Sequence, residues 1–388
     1  MQYGSAELRI KETKDKTKRA GMDISFLALV VILLAIGVTM VLSASFARAY
    51  FDPGGVTKGK ATYYFIRQFI FAALGVAAMI TCSRLPVGFY KRFSMPVLIV
   101  AVILLMLVPI IGTNANGAKR WIGLGAFTIQ PSEVAKIGII LAFASMICAR
   151  RGRMKSFRYG ILPFAAILAA IVGLLVLEPH FSASIIIVAI GGVMLFLGGA
   201  RLIWFIAAAV AAGGGIAVLL TMFPYASTRI TTWRDPFAST SDEGYQIVQS
   251  LYSIGSGGLT GLGLGQSRQK YLYLPEEHND FIFSVVCEEL GFIGALLILT
   301  FFALLIIRGY WIALHSTDRY SFLVAAGITT LLAIQVILNV AVVTNLVPCT
   351  GISLPFFSYG GTALLMQMAE MGIVLSISRD LPAGRVGG

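Results

Sequence analysis

The chain has 388 residues, 57% of them hydrophobic and 12% charged, with a formal net charge of +12 at pH 7. That balance excludes an ordinary soluble domain and points to a polytopic membrane protein. The positive charge does not read as a nucleic-acid footprint, because Lys and Arg gather at alternate ends of apolar runs; no nucleic-acid partner is expected.

Apolar runs long enough to cross roughly 30 Å of hydrocarbon, about 20 residues each, begin near Ile24, Phe65, Phe93, Glu133, Gly160, Ala183, Leu202, Phe281, Phe322 and Phe356. They predict an all-α polytopic membrane protein with ten transmembrane helices. A basic cytoplasmic tail covers residues 1–23, a single transmembrane domain covers 24–378 with a large outer loop at 224–279, and a short cytoplasmic tail covers 379–388. The apolar core of the first run, about 20 residues, exceeds the 7 to 15 of a cleaved signal peptide, so it is read as a retained span. Arg9, Lys11, Lys14, Lys16, Lys18 and Arg19 precede it, and Arg84, Lys91, Arg92, Arg150, Arg151, Arg153, Lys155 and Arg158 lie at the same side two and four spans on. The positive-inside rule then sets both termini in the cytoplasm. Cys82, Cys148, Cys287 and Cys349 sit in or beside different runs with no paired spacing, which supports neither a disulfide framework nor a metal site.

In chain order, the basic tail reads as an orientation signal against anionic membrane lipid. Arg67 and Gln68 lie near the outer end of span two, where an arginine either snorkels to headgroups or faces a cavity. Between spans three and four runs GTNANGAKRWIGLGAFTIQPSEVAK, Gly112 to Lys136. Its asparagines and glycines favour irregular backbone. Lys119, Arg120 and Trp121 suit the outer interface, the tryptophan either as an aromatic anchor or, beside two cations, as part of a phosphate or sugar site. Pro131 suits a first helical position and Glu133 the first turn. Lys136 shares a face with Glu133 and lies roughly 7 Å down the helix. An ionisable residue at that depth faces the bundle interior and has a partner; this pair is either structural or lines a cavity. Span five ends in Glu178, Pro179 and His180, where Pro179 stops the helix and the lone histidine reads as structural.

The outer loop opens with a charged, turn-forming stretch, Arg229 to Phe237, that carries Arg234. Gly244 to Ile254 is mildly amphipathic and is expected to lie flat on the membrane. Gly255 to Lys270 is rich in glycine but lacks the Gly-Lys-Ser/Thr ending of a nucleotide loop, so it reads as a flexible connection.

The loop ends in YLYLPEEHNDFIFSVVCEELG, Tyr271 to Gly291, where Asp280 stands at the lip of span eight. The aspartate is either a helix N-cap or a reactive carboxylate. Glu276, Glu277 and His278 crowd the same turn, while Arg234, Arg268 and Lys270 arrive in the same loop. Glu288 and Glu289 enter the span deeper and need cationic partners, for which Lys136 and Arg67 are the candidates. A carboxylate at a water–membrane boundary among cations suits the joining of sugars carried on lipid pyrophosphates. The cations, Lys119, Arg120, Arg234 and Lys270 among them, offset the charge of the leaving pyrophosphate. The carboxylate takes the proton of the attacking sugar hydroxyl, as the general base does in inverting glycoside chemistry.

These residues carry a family resemblance. NGAKRWIGLG with FTIQPSEVAK, then WRDPF, GYQIVQSLYSIGSGG, GLGLGQSRQKYLYLPEEHNDFIFSVVCEELGFIG and VPCTGISLPFFSYGG, in that order over residues 20–380, resemble the SEDS family of bacterial shape, elongation, division and sporulation proteins. The run GLGQSRQKYLYLPEEHNDFIF is more similar to the division (FtsW) and sporulation (SpoVE) branches than to the elongation (RodA) branch. The resemblance implies a peptidoglycan glycosyltransferase of the bacterial cytoplasmic membrane that polymerises lipid II at the outer face during septal wall synthesis. It implies a class B penicillin-binding transpeptidase and other division proteins as partners. The family's essential aspartate falls on Asp280, and its cavity arginine, glutamate and lysine on Arg67, Glu133 and Lys136. From their own positions in the chain, Trp121 and His278 are further candidate substrate contacts. No cofactor is required by this reading, although a divalent cation, Mg2+ or Mn2+, is compatible with a pyrophosphate leaving group. The chain departs from the family at His180, which stands where the family usually has aspartate. SLPFFSYGG, Ser353 to Gly361, either packs span ten closely through small residues or opens a lipid groove. Two other functions stay open: a transporter that flips lipid II past Glu133, Lys136 and Glu288, and a non-catalytic scaffold for the transpeptidase.

Overall fold

The computed structural model describes residues 21–381, apart from 53, 116–117, 125–126, 223–230 and 239–241. The two tails expected at 1–23 and 379–388 lie almost wholly outside the described residues, as does much of the opening of the outer loop. The helices are α1 (Ile24–Tyr50), α2 (Tyr63–Arg84), α3 (Val87–Ile111), α4 (Pro131–Ala149), α5 (Leu162–Leu177), α6 (Phe181–Leu197), α7 (Leu202–Met222), α8 (Asp242–Gly257), α9 (Ile282–His315), α10 (Arg319–Val343) and α11 (Gly361–Arg379). A π-turn, Phe157–Ile161, leads into α5. Among the described residues, eight helical segments are long and apolar enough to cross a membrane, and α6 is a shorter apolar helix.

Most expected span starts fall within a turn of the observed helices. Two do not. α3 begins at Val87 rather than near Phe93, carrying Pro96 and Pro109 inside it. α11 begins at Gly361 rather than near Phe356, because the stretch before it stays irregular. α4 and α10, rich in Ala, Gly, Ser and Thr, are buried along most of their length at the centre of the bundle, whereas α2, α3, α5 and α9 turn most of their surface outward. The most extensive pairings are α2 with α11, α3 with α4 and α9 with α10. Small side chains on the central helices let backbones approach where lipid gives no hydrophobic drive to associate.

Between α3 and α4 the chain forms an antiparallel meander, β1 (Thr113–Ala115), β2 (Ala118–Leu124) and β3 (Phe127–Ile129). Thr113 pairs with Trp121 and Asn114 with Lys119, so Arg120 is the extra residue of a bulge. A bulge breaks side-chain alternation and re-aims its residue; here Arg120 and Trp121 both face the same cavity.

The outer loop corrects two expectations. α8 does not lie flat: it runs beside the first half of α9, with Ser250 Oγ 2.7 Å from Ser284 Oγ and Ser253 Oγ 3.0 Å from the Ser284 carbonyl. Nor is Gly255 to Lys270 a loose connection. α9 is broken at Gly291, whose φ of 66° leaves the helix ladder open. The glycine stretch fills the opening: Leu262 and Gly263 N–H donate to the carbonyls of Glu288 and Glu289 at 2.9 and 3.0 Å, and Phe292 and Ile293 N–H donate to Gly258 and Leu259 at 2.9 and 3.1 Å. A Cβ on Gly261 would run into the Glu289 carbonyl, and one on Gly291 into the Gly261 nitrogen. Glycine is required here by backbone contact, so the loop is a fitted strap. Gly291 lies about 14 Å along the helix from Ile282, which makes α8 and the strap a re-entrant hairpin.

Candidate active site

The strap explains the two buried glutamates. Glu288, 1% exposed, accepts from Ser253 Oγ at 3.0 Å, Ser267 Oγ at 2.5 Å and the Arg268 N–H at 2.9 Å. Glu289, fully buried, is paired with Lys270 Nζ at 2.9 Å and accepts from Ser43 Oγ at 2.7 Å. Lys136 and Arg67, the expected partners, are elsewhere. Lys270, expected at the substrate, is itself 2% exposed and committed to Glu289. The loop returns out of the bundle beside α9, which places Lys270 next to the helix rather than in open space.

Three more expected contacts stand outside the cavity. His278 is buried, packed at a tilt against Tyr64 with ring centroids 4.7 Å apart, and lies 3.7 Å from Glu277. Glu277 is fully buried and held by Arg48 at 2.7 and 3.0 Å. Burial alone would raise the Glu277 carboxyl, but the neighbouring His278 and the Arg48 hydrogen bonds outweigh it and hold the carboxyl below its ordinary range. Lys119 is exposed and its Nζ approaches the Pro109 carbonyl at 3.4 Å. Arg234 is exposed on the outer loop.

Asp280, Arg67, Arg120, Trp121, Glu133 and Lys136 do share one cavity of about 500 Å³. Its outer wall is the turn before α9 and the bulged β2; its floor is α4 and α11; its far wall is the irregular stretch from Gly351 to Gly361. That stretch therefore opens the groove rather than packing as a helix. Arg120 Nη2 donates to the Pro179 carbonyl at 2.6 Å, which fixes the guanidinium against the α5–α6 corner. Arg67 Nη1 donates to Tyr63 Oη at 2.7 Å. Lys136 Nζ lies 2.7 Å from Glu133 Oε2, the lysine 3% and the glutamate 17% exposed. His180, read as structural, also lines the cavity, with Nε2 3.5 Å from Gln130 Nε2. Burial, with Arg120 and Lys136 nearby, pushes its imidazole down to about 3, so it is neutral.

Asp280 is not an N-cap: Phe281 holds that position and no side chain caps the helix. Among the described residues no hydrogen bond or ion pair reaches its carboxylate. Burial first, then the Glu276 carboxylate, push its pKa up to about 6 against the pull of Arg120. The result is a carboxylate that is ionised at neutral pH, more basic than an ordinary aspartate, and unoccupied by protein donors. Glu370 and Gln335 line the same cavity and were not singled out from the sequence. A glutamate deep in the apolar run of span ten was the available signal. Among the described residues no group of three His, Cys, Asp or Glu side chains gathers as a metal-holding cluster.

Comparison with known proteins agrees with this architecture. The family model for FtsW/RodA/SpoVE cell cycle proteins matches residues 24–382. Stage V sporulation protein E of Bacillus subtilis is 40% identical over 366 residues, covering 94% of this chain and 98% of its own. A probable peptidoglycan glycosyltransferase FtsW of Trichlorobacter lovleyi is 39% identical over 366 residues, covering 93% and 94%. Among solved structures, a chain of a peptidoglycan synthase complex that coordinates polymerization and crosslinking superposes with a TM-score of 0.75 at 28% identity, covering 93% of this chain and 99% of that one.

Proposed function

The chain belongs to the FtsW/RodA/SpoVE family of cell cycle proteins, and from that membership we propose a peptidoglycan glycosyltransferase that polymerises lipid II, with Asp280 as its general base. The multi-pass fold and the relatives' activity support the enzyme reading. The assignment of Asp280 rests on one observation: its carboxylate lines the cavity without a hydrogen-bond or ion-pair partner among the described residues, within the field of Arg120 and in a space that Arg67 and Lys136 also line.

The chemistry follows from that placement. Asp280 accepts the proton of the acceptor sugar's hydroxyl, whose oxygen forms a bond to the donor's anomeric carbon. The bond from that carbon to the lipid pyrophosphate breaks, and the pyrophosphate departs with the electron pair. Attack and departure on opposite faces invert the anomeric centre, as for a base-assisted displacement in glycoside chemistry. Arg120, Arg67 and Lys136, which line the same cavity, offset the charge that develops on the pyrophosphate. Trp121 supplies a flat surface for a sugar ring. The Glu133 carboxylate, 2.7 Å from Lys136 Nζ, fixes the lysine's position at the cavity floor.

The positive-inside distribution supports an outer-face site, because it puts the turn bearing Asp280 opposite the basic loops. The solved relative, which couples polymerization to crosslinking, supports a class B transpeptidase as partner, with other division proteins and the septum as its setting. The deciding experiment is polymerisation of purified lipid II in detergent by protein with its transpeptidase. Asp280→Asn should abolish glycan formation while the protein stays monodisperse. Polymer from that variant would remove Asp280 as the base, and absence of polymer from the unaltered protein would favour a flippase or scaffold.

A further inference from the structure

Three successive carbonyls of the turn before α9 are each held by a donor. His278 O accepts from the Tyr359 N–H at 2.9 Å, Asn279 O from Ser358 Oγ at 2.9 Å, and Asp280 O from Asn339 Nδ2 at 2.8 Å. The first two donors come from the irregular stretch before α11. The third comes from α10, a central helix of the bundle, so it alone of these three ties the turn to a membrane-spanning segment.

Asn339 is fully buried. Its Nδ2 also donates to the Ile352 carbonyl at 2.7 Å, so both amide protons are used, one on each segment. The orientation of the amide is determined: turned over, Oδ1 would face two carbonyl oxygens. Ile352 follows Gly351, whose backbone stands against the Asp280 carboxylate, where a Cβ would lie 3.1 Å from Oδ2. One side chain therefore sets the spacing between the aspartate's turn and the cavity wall that faces it.

We infer that Asn339 is a positioning residue for the glycosyl transfer, clamping the Asp280 turn and the Gly351–Ser353 wall at the separation in which the carboxylate stands free in the cavity. The inference rests on Asp280 acting as the base. No aliphatic residue can replace the amide, because two buried carbonyls would then lose their donors, and the turn would relax toward other partners. Aspartate is worse: it keeps the volume but sets acceptor oxygens against both carbonyls.

The test compares Asn339→Leu and Asn339→Ser with the unaltered protein, in complex with its transpeptidase, over a pH series with lipid II. Displacing a reacting group by about 1 Å costs on the order of 100-fold in rate. The expected result is a 10- to 100-fold lower kcat for Asn339→Leu, a smaller loss for Asn339→Ser, which keeps one donor, and a KM for lipid II within about twofold of normal. The acid limb of the kcat profile should move to lower pH as the carboxyl gains water. Unchanged kcat in Asn339→Leu overturns the inference. So does a parallel loss of kcat and KM without movement of the acid limb, or failure of both variants to fold, since either marks a merely structural residue. Asp280→Asn run alongside separates the two readings. Activity in that variant removes the base, whereas an inactive Asp280→Asn beside a fully active Asn339→Leu removes only the clamp.

Discussion

Gly351 faces Asp280 across a gap that a side chain would close: its φ is 64°, and a Cβ there would lie 3.1 Å from Asp280 Oδ2. Gly351→Ala therefore adds a methyl group against the reacting carboxylate and forces a left-handed conformation worth roughly 1–2 kcal/mol. Activity should fall more steeply than stability. A lipid II polymerisation assay beside a melting curve checks this; a normal rate would show that the wall has room to move.

The raised pKa of Asp280 makes two linked predictions. Because the carboxyl titrates at about 6, the rate should fall as pH drops through that value. The stability effect has the opposite sense. The folded carboxyl holds its proton more tightly than the unfolded one, so folding loses stability as pH rises from the ordinary aspartate range, about 3.9, through about 6. Asp280→Asn should consequently melt above the unaltered protein at pH 7.5, by a few degrees at most in an open cavity, with the difference shrinking at pH 5. Equal melting temperatures at pH 7.5 would contradict the burial of the charge.

Lys270 and Glu289 form a buried pair away from the cavity. Glu289→Leu strands a buried ammonium group, and losses of about 3–5 kcal/mol are typical of such breaks. Lys270→Met with Glu289→Leu removes both charges and should recover most of the stability. It should also polymerise lipid II with a nearly normal KM, because Lys270 does not reach the substrate. A large KM rise in the stable double variant would return Lys270 to the site.

The strap predicts a sharp contrast among glycines. At Gly261 an alanine methyl meets the Glu289 carbonyl, whereas at Gly265, φ 81°, nothing stands within 4 Å of the added carbon. Gly261→Ala should fail to give monodisperse protein. Gly265→Ala should cost only conformational strain of roughly 1–2 kcal/mol, read as a modest drop in melting temperature.

Much of the bundle is legible in the sequence because hydrophobic length reports membrane spans directly. The site is legible where its chemistry is local. Pro131, Glu133 and Lys136 share one helix, and their spacing alone puts the two charges on one face. Lys270 and His278 looked like substrate contacts because residue type does not reveal partners, and theirs, Glu289 and Tyr64, are set by tertiary packing. Gly255 to Lys270 looked flexible for a related reason. Its fixed shape comes from main-chain hydrogen bonds to a break in another element, and backbone pairing leaves little mark beyond the glycines themselves. Asn339 is not legible in the sequence, because an uncharged amide in an apolar span carries no obvious signal until the two carbonyls it holds are known.

The interlocking of the strap with α9 has a mechanical consequence. Four main-chain rungs join the two segments at hydrocarbon depth, where each N–H or carbonyl left without a partner costs several kcal/mol. The outer half of α9 cannot slide past α8 one rung at a time; the two translate or tilt as one stiff lever. The water-facing arm of that lever carries Asp280 and, through Gln246 bonded to the Pro275 carbonyl at 3.3 Å, the start of the turn that holds it. α8, the strap, the outer half of α9 and the turn bearing Asp280 are thus tied together as one unit, with the aspartate at its water-facing end.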